Sequence, residues 1–416
     1  MFLLAQIIFL LSSFSFSQEQ TRDEMLKQKR LEKAKNLKPY KYTKLEKLLL
    51  FIENNPFEEI MKNGIYGFMP AIGGLKSGSG IGGGTKFEPT KNLNNFHFEL
   101  RALGSLKSYE DYKASFGYER SRFSFFSFAE YRNSPQDNFY GIGQNSLKEN
   151  RTNFRLKDTK LGFVCSFRPT STIRTFFQGK LLNNKIGHGT HEEYPSIEEK
   201  FQAGVPGLKD DTEFYISTVG IIMDFRGEKY RKYYALKQAL LDNPLDLRGA
   251  NPYKGTYVLL KASQYNSKSS ARYDFNRFDF EFQQYFSFFN GHRVIAIRNF
   301  IAVVDPKGDA DVPFYLMQPL GGSMSLRAYQ EYRFRDRNAL LFNLEYRWYA
   351  WSGLDMALFY DAGNVFPHYE DMTIKDMKTS YGIGFHFNSK TSLPLRVDIA
   401  HGDEGPRLII KFSNIF

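Results

Sequence analysis

The chain has 416 residues, a formal net charge of +11 and 17% aromatic residues, with 41 Phe and 26 Tyr but only 2 Trp. Its length allows one large domain or two to three ordinary ones. The single cysteine, Cys165, excludes an intramolecular disulfide. The basic excess suits nucleic acid or anionic lipid headgroups as a partner, unless the charge is simply solvated.

The N-terminal segment predicts export. Residues 2–11 are predominantly apolar, and Ser15 and Ser17 supply small residues at both positions of a signal-peptidase site. We interpret residues 1–17 as a signal peptide, although no Lys or Arg precedes the apolar run. No later segment offers about 20 consecutive apolar residues, so we expect no transmembrane helix in the mature chain. For an exported chain we expect lipid, and no nucleic acid, as the partner of the basic surface.

Residues 18–63 are rich in Lys, Glu and Leu, which favours helix and adds a basic bias. Pro39 and Pro56 interrupt the segment. We interpret it as a short helical periplasmic arm, a candidate docking element for a periplasmic protein. A partly disordered tail is the alternative.

From residue 64 the hydrophobic pattern has a period of two, which is typical of strands. The glycine-rich stretch 78–84 has the spacing Gly-x-Gly-x-x-Gly, but a strand pattern follows it, where a nucleotide loop requires a helix. We therefore expect these glycines inside a strand. Sixteen strands are predicted, near residues 64–73, 79–88, 95–105, 109–119, 122–132, 152–168, 171–183, 213–225, 255–265, 274–288, 292–304, 338–350, 353–366, 378–388, 393–402 and 406–416.

The strand count and the lengths of the connections predict a membrane barrel. One predicted strand, 274–288, places five Phe on one face and polar residues on the other. With both chain ends in the periplasm, the long joins 133–151, 184–212 and 305–337 fall outside, an asymmetry typical of outer-membrane barrels. The predicted fold class is all-β: residues 64–416 form a 16-stranded antiparallel transmembrane β-barrel in the outer membrane of a Gram-negative-type envelope.

The stretch from residue 319 to 366 has the most specific motifs. It resembles loop 6 and the following strands of the BamA/TamA superfamily, also called bacterial surface antigen barrels. Those barrels share a Gly-Gly turn, a Val-Arg-Gly-aromatic motif, a Glu-x-Arg strand and an aromatic-x-Asp-x-Gly strand. The matching residues here are Gly321, Gly322, Leu326, Arg327, Ala328, Tyr329, Glu345, Arg347, Phe359, Asp361 and Gly363.

The resemblance implies that loop 6 folds back into the barrel and that Arg327 contacts Glu345 and Asp361. A guanidinium presents a planar fork to carboxylates. The contact is interpreted either as a lock that controls the lumen or the seam of the barrel, or as a purely stabilising tie. Ala328 departs from the family, which has Gly there, and its Cβ restricts the backbone of the loop tip.

Two further stretches resemble the family. Asp224-Phe-Arg226 and Pro252-Tyr-Lys-Gly255 match an Asp-x-Arg and Pro-x-x-Gly mark whose halves are separated here by residues 227–251. This insert is a docking element, a lumen plug or a passive insertion. The last strand ends in alternating Phe412 and Phe416, which resembles the signal that barrel-assembly machinery recognises.

The resemblance implies a role in membrane biogenesis, as an inserter or translocator of protein or lipid, in a member that lacks POTRA modules. A plugged pore or passive channel, or a membrane anchor for a periplasmic partner, are the alternatives. Expected partners are outer-membrane lipid (lipopolysaccharide or phospholipid) and the assembly machinery. We expect no enzyme activity, no cofactor and no metal, since His188 and His191 lack a convincing third ligand.

Overall fold

A computed structural model describes residues 26–32, 68–73 and 82–87, positions 75 and 79, and most of residues 95–411. Within that last range it leaves out residues 202–203, 228–251, 269–270, 352–353 and 388–394. The predicted signal peptide, most of the predicted arm, nearly all of the 227–251 insert, and Phe412 and Phe416 therefore lie outside the described residues. Residues 26–32 are helical. Among the described residues, no helix is long and apolar enough to span a membrane.

Sixteen strands form one antiparallel sheet, as predicted, and each pairs with the next along the chain. A separate two-stranded sheet, β12 with β13, lies in the connection between β11 and β14. The strands are β1 (Phe68–Gly73), β2 (Gly82–Phe87), β3 (Phe96–Ser105), β4 (Glu110–Arg120), β5 (Phe123–Phe139), β6 (Thr152–Phe167), β7 (Ile173–His188), β8 (Thr212–Asp224), β9 (Gly255–Ser267), β10 (Phe275–Phe288), β11 (Arg293–Pro306), β12 (Gln318–Leu320), β13 (Phe334–Asp336), β14 (Asn338–Trp351), β15 (Leu354–Phe366), β16 (Lys378–Phe387), β17 (Leu395–Gly402) and β18 (Gly405–Lys411). One short helix, α1 (Ile197–Lys200), follows β7.

The two faces of the sheet have the reverse polarity of a soluble sheet. On β10, Arg277, Asp279 and Glu281 are buried, whereas the side chain of Phe278 is 50% exposed. Exposed apolar side chains recur along the other strands, for example Leu161 at 58%. This pattern places the polar face inside and the apolar face outside, which is the arrangement of a barrel whose exterior meets hydrocarbon.

The sheet curls until its two halves meet. Lys148, which follows β5, donates from Nζ to the carbonyl oxygen of Glu404 between β17 and β18 (3.5 Å). Gln144 Oε1 accepts from the backbone N–H of Val365 at the end of β15 (3.2 Å). These contacts lie at the end of the barrel that has the long connections, and we call it the loop end. The opposite end holds both termini of the sheet and short turns, apart from the long connection between β8 and β9, and we call it the turn end.

Two strands are longer than predicted, and the loops that follow them are correspondingly shorter. β5 continues to Phe139 through a register shift between Ser134 and Asp137, and β7 continues to His188. Their Asn, Asp, Ser and Gly residues are typical of loops, but the neighbouring strand supplies hydrogen-bond partners that override this local preference. The glycines Gly82, Gly83 and Gly84 lie in β2, as the strand interpretation predicted.

Candidate functional site

Loop 6, which we define as residues 307–337 between β11 and β14, turns inward at a pair of glycines. Gly321 and Gly322 have φ of 108° and 99°, a region that strongly favours glycine. A Cβ on Gly321 would lie 2.4 Å from the carbonyl oxygen of Gln330. The N–H of Gly322 donates to the carbonyl oxygens of Leu326 (3.2 Å) and Tyr329 (3.0 Å). Residues 321–329 therefore form a compact tip.

Arg327, at the tip of loop 6, is fully buried between two acids from neighbouring strands. Its Nε and Nη2 donate to the two carboxylate oxygens of Asp361 on β15, at 2.9 and 2.7 Å. Its Nη1 donates to Glu345 Oε2 on β14 at 2.8 Å. The guanidinium also lies 3.4 Å from the centre of the Phe359 ring, in a cation–π contact. All three charged side chains have zero exposure, so the ionic bonds are shielded from water.

The charges around Arg327 balance. A third acid, Asp398 on β17, has its Oδ2 3.8 Å from Arg327 Nη1. Asp398 lies 2.9 Å from Arg396 Nε, and Arg347 Nε donates to Glu345 Oε1. Because an unpaired buried charge is costly, this matching of three acids with three arginines makes the cluster stable only when it is complete. We call these six residues the Arg327 cluster.

Lumen side chains also hold the backbone of the tip. Arg396 donates to the carbonyl oxygen of Ser323 (2.7 Å), Arg298 to that of Met324 (3.2 Å), and Asn343 to that of Ser325 (2.9 Å). Arg407 on β18 donates to the carbonyl oxygens of Arg327 and Tyr329. Ser380 Oγ on β16 accepts from the N–H of Ala328 (3.1 Å).

Sequence reasoning missed these residues, because a hydrogen bond to a backbone carbonyl oxygen can be made to any residue of the loop and so has no sequence motif. Their only signal is a polar residue on the inward face of a strand.

An apolar patch on the lumen wall packs under the tip. Leu320 and Leu326 are fully buried, and Gly363 on β15 leaves room for the Leu320 side chain, whose Cδ1 lies 3.0 Å from the position of a Cβ there. The patch and the loop residues on it form one cluster: Phe300, Ala302, Leu320, Leu326, Ala328, Tyr329, Phe334, Ala339, Leu341, Phe359, Val365, Ala400 and Ile409. Such apolar side chains inside an otherwise polar lumen predict that a packed element covers them.

Ala328, the departure from the family motif, is accommodated by a glycine on the wall. Ala328 is not among the described residues with positive φ, so its Cβ does not strain the backbone. That Cβ points at Gly402 on β17, where an added Cβ would lie 2.9 Å away. The space that Ala328 needs is provided by Gly402.

Comparison with known proteins identifies the family. The model of the Omp85 superfamily domain matches residues 92–412. The chain belongs to the Omp85 superfamily. The resemblance predicted from the loop 6 motif is thereby confirmed, and the chain is an outer-membrane β-barrel.

The fold is similar to BamA from Haemophilus ducreyi lacking POTRA domains 1–3, with a TM-score of 0.56 and 14% identity over 82% of this chain and 68% of that one. CdiB from Escherichia coli matches with a TM-score of 0.49 and 10% identity, over 84% of this chain and 62% of that one. Among curated protein sequences nothing matches.

At the loop end of this Omp85 barrel, loop 6 is bonded to neighbouring loops. Arg333 donates to Glu404 Oε1 and, from Nη2, to the carbonyl oxygen of Ser146 at 2.7 Å. Tyr329 Oη donates to Asp403 Oδ2 at 3.2 Å. A second apolar cluster, centred on Phe314 of loop 6, packs against inward residues of the strand ends, including Phe139, Phe154, Phe214 and Phe275. Loop 6 therefore contacts both halves of the barrel at this end.

Another buried arginine, Arg226, lies at the turn end. Arg226 donates from Nε and Nη2 to Asp224, both at 2.9 Å, and from Nη1 to Gln283 Oε1 at 2.9 Å. Its guanidinium lies 4.2 Å from the centre of the Tyr257 ring. The two halves of the split family mark meet here, since a Cβ on Gly255 would lie 2.4 Å from the carbonyl oxygen of Phe225. Gly255 has φ of +107°, which suits this close approach.

Proposed function

We propose that this barrel acts in outer-membrane biogenesis, by inserting or translocating protein or lipid, and that loop 6 controls its lumen or its seam. The observation that supports this is the set of strands that the loop tip engages. Arg327 contacts β14, β15 and β17, Ala328 contacts β16, and Arg407 of β18 contacts the tip. Five consecutive C-terminal strands are thus tied to one loop.

The N-terminal strands lack such ties. Within the described residues, the tip 321–329 makes no hydrogen bond or ion pair to β1–β4. In the part of the chain that the structure describes, β1 and β2 span 6 residues each and pair through Gly82, Gly83 and Gly84. Glycine in a strand interior weakens it, since no side chain packs against its neighbours. A barrel with one braced half and one weak half would open between its first and last strands.

Two other functions remain as alternatives. A pore would require a water-filled path past loop 6. A membrane anchor would use the predicted arm, residues 18–63, to bind a periplasmic protein. We favour biogenesis because the Arg327 cluster is a reversible tie: it is stable when complete, and breaking it exposes an apolar patch that could receive a client.

Depletion of the protein from its cell, followed by quantification of outer-membrane proteins and lipopolysaccharide, tests the proposal. We expect the depleted cells to lose one class of these components and wild-type protein to restore it. Arg327→Ala should restore less than Arg327→Lys, which keeps the charge. An unchanged outer membrane after depletion would contradict a role in biogenesis.

Planar-bilayer conductance separates a pore from a tied loop. We expect the wild type to conduct little and Arg327→Ala to show larger, fluctuating openings. A large steady conductance in the wild type would favour the channel instead. Loss of a co-purifying protein on deletion of residues 18–63 would favour the anchor.

We also propose that the barrel-assembly machinery recognises Phe412 and Phe416. Deleting Phe416 should then reduce the membrane-inserted fraction without preventing export to the periplasm.

A further inference from the structure

Two lysines face each other on the outer surface of the barrel. Lys157 on β6 lies directly opposite Lys185 on β7. Both point outward, because their neighbours Asp158 and Asn184 are buried in the lumen. Like charges directly opposite on neighbouring strands are destabilising. Within the described part of the chain neither lysine has an ion-pair partner, so the protein itself does not offset this repulsion.

Arg155 adds a third positive charge on the same face. It lies two residues from Lys157 toward the loop end, and its cross-strand partner is Gly187. Its side chain extends across this glycine, with Cδ 3.8 Å from the position of a Cβ there. Two acids lie nearby on this face. Glu110 accepts a hydrogen bond from Asn133, the residue opposite Lys157 on β5 (3.2 Å), and Glu213 on β8 pairs with Lys268. The guanidinium and the two ammonium groups therefore form a basic patch that suits a phosphate.

Toward the turn end, below this patch, the outer face has a depression. A cavity of about 730 Å³ lies over β1–β6. On its outward side Ala114 and Ala129 are opposite each other and form the floor. Tyr112 and Tyr131 bound it on the loop-end side, stacked with ring centres 6.0 Å apart and planes 13° apart. Its remaining outward walls are mostly apolar, with Phe87, Leu100 and Leu161, and also include Thr85 and Thr159. Small residues inside an aromatic and aliphatic rim make a cup that fits a hydrocarbon chain.

The cup and the basic patch follow each other along the strands, with the basic patch nearer the loop end. Tyr131 pairs with Thr159, and Lys157 follows two residues farther toward the loop end, about 7 Å along the strand. Tyrosines are enriched at membrane interfaces, where the hydrocarbon region ends. The basic patch therefore lies at headgroup depth and the cup at acyl-chain depth. Long connections mark the loop end as the external side, so this is the outer leaflet.

We propose that the outward face of β3–β7 is a specific site for one molecule of a phosphorylated glycolipid of the outer leaflet, lipopolysaccharide. A phosphate binds between Lys157, Lys185 and Arg155, and one acyl chain fills the cup over Ala114 and Ala129. The negative charge of the phosphate offsets the repulsion between Lys157 and Lys185. The site rests on the outer-membrane location and not on the proposed role in biogenesis.

The test measures binding of fluorescent lipid A to the full-length protein in phosphatidylcholine nanodiscs. We expect the double variant Lys157→Gln/Lys185→Gln to bind at least 10-fold more weakly than the wild type. The matched control removes two positive charges from exposed loop positions, Lys209→Gln/Lys375→Gln, and should bind as the wild type does. Heat-modifiable gel mobility verifies that each variant is folded.

Two further arms separate the sources of the phosphate and the role of the cup. Ala129→Phe, which fills the cup, should weaken lipid A binding several-fold while leaving the basic patch intact. Phosphatidylglycerol and inorganic phosphate should compete poorly with lipid A. Equal affinity of the wild type and the lysine double variant would overturn the site. If phosphatidylglycerol competed as well as lipid A, the choice of lipid would be overturned. If inorganic phosphate competed as well as lipid A, the proposed site would bind only the ion.

Discussion

Two of the buried arginines of this Omp85 barrel, Arg226 and Arg327, use the same chemistry over very different distances along the chain. Arg226 binds Asp224, which lies two residues earlier at the end of β8, and Gln283 on β10. Arg327 binds Asp361, 34 residues away, and Glu345, 18 residues away. Both guanidiniums also lie over an aromatic ring, Tyr257 or Phe359.

The comparison shows that the separation of partners determines what a buried ion pair does. The Arg226 pair orients a strand end, and the chain around Asp224 is already fixed by its ladder with β7 and β9. The Arg327 pair attaches loop 6 to the barrel wall. No strand of loop 6 pairs with a strand of the wall, since β12 and β13 pair only with each other. Loss of the first pair should therefore weaken the fold locally, whereas loss of the second should release a loop.

The largest effect is expected for Arg327→Ala. It leaves Asp361 buried without its arginine and Glu345 with Arg347 alone, which costs about 3–5 kcal/mol. We expect a lower urea midpoint in lipid vesicles and hydrogen exchange at residues 321–329 faster by about two orders of magnitude or more. Arg327→Lys, which retains one charge but not the fork, is the control and should be intermediate. Unchanged exchange in the tip would refute the tie.

Arg226→Ala should lower stability by about 3 kcal/mol, because Asp224 loses its buried partner. Exchange should increase near Phe225 and Gly255, whose backbones approach each other there. Exchange in the loop 6 tip should stay as in the wild type. If the tip were released equally in both variants, the two clusters would be one cooperative unit and the comparison would fail.

A smaller effect is expected where the tip packs on β17. Gly402→Ala puts a Cβ 2.9 Å from that of Ala328 and 2.7 Å from the carbonyl oxygen of Thr379, and such overpacking costs about 1–3 kcal/mol. Ala328→Gly should recover part of this loss in the double variant, because it removes one of the two contacts. Strictly additive free energies of unfolding would show that residues 328 and 402 do not interact.

The smallest effect is expected at the surface. Glu213 and Lys268 form an ion pair at 3.0 Å, with side chains 35% and 51% exposed. Solvent screens such a pair, so Glu213→Gln should leave the urea midpoint unchanged within error. A shift comparable to that of Gly402→Ala would mean that exposure is a poor guide to the strength of ion pairs in this barrel.

Much of the fold was predictable because strand alternation is a local property. Successive side chains of a strand point to opposite faces, so the alternation of polar and apolar residues from Arg277 to Phe288 is enough to show which side chains of β10 face the lumen. The Arg327 motif was also visible, since the resemblance marks Glu345 and Asp361 as its partners. Strand ends were less predictable: β5 continues to Phe139 because β6 supplies partners, which nothing near residue 134 indicates.

The sequence by itself determined the sixteen strands and the polar interior, because side-chain polarity and spacing are written along the chain, and its resemblance to a family marked the arginine of loop 6. Only the tertiary structure decided which wall residues hold the loop backbone, as Arg396, Arg298 and Asn343 do. It also placed Gly402 against Ala328 and Lys157 against Lys185. These pairings depend on how curled strands and an infolded loop meet in space, and a backbone carbonyl or a neighbouring strand's register has no counterpart in the order of the amino acids.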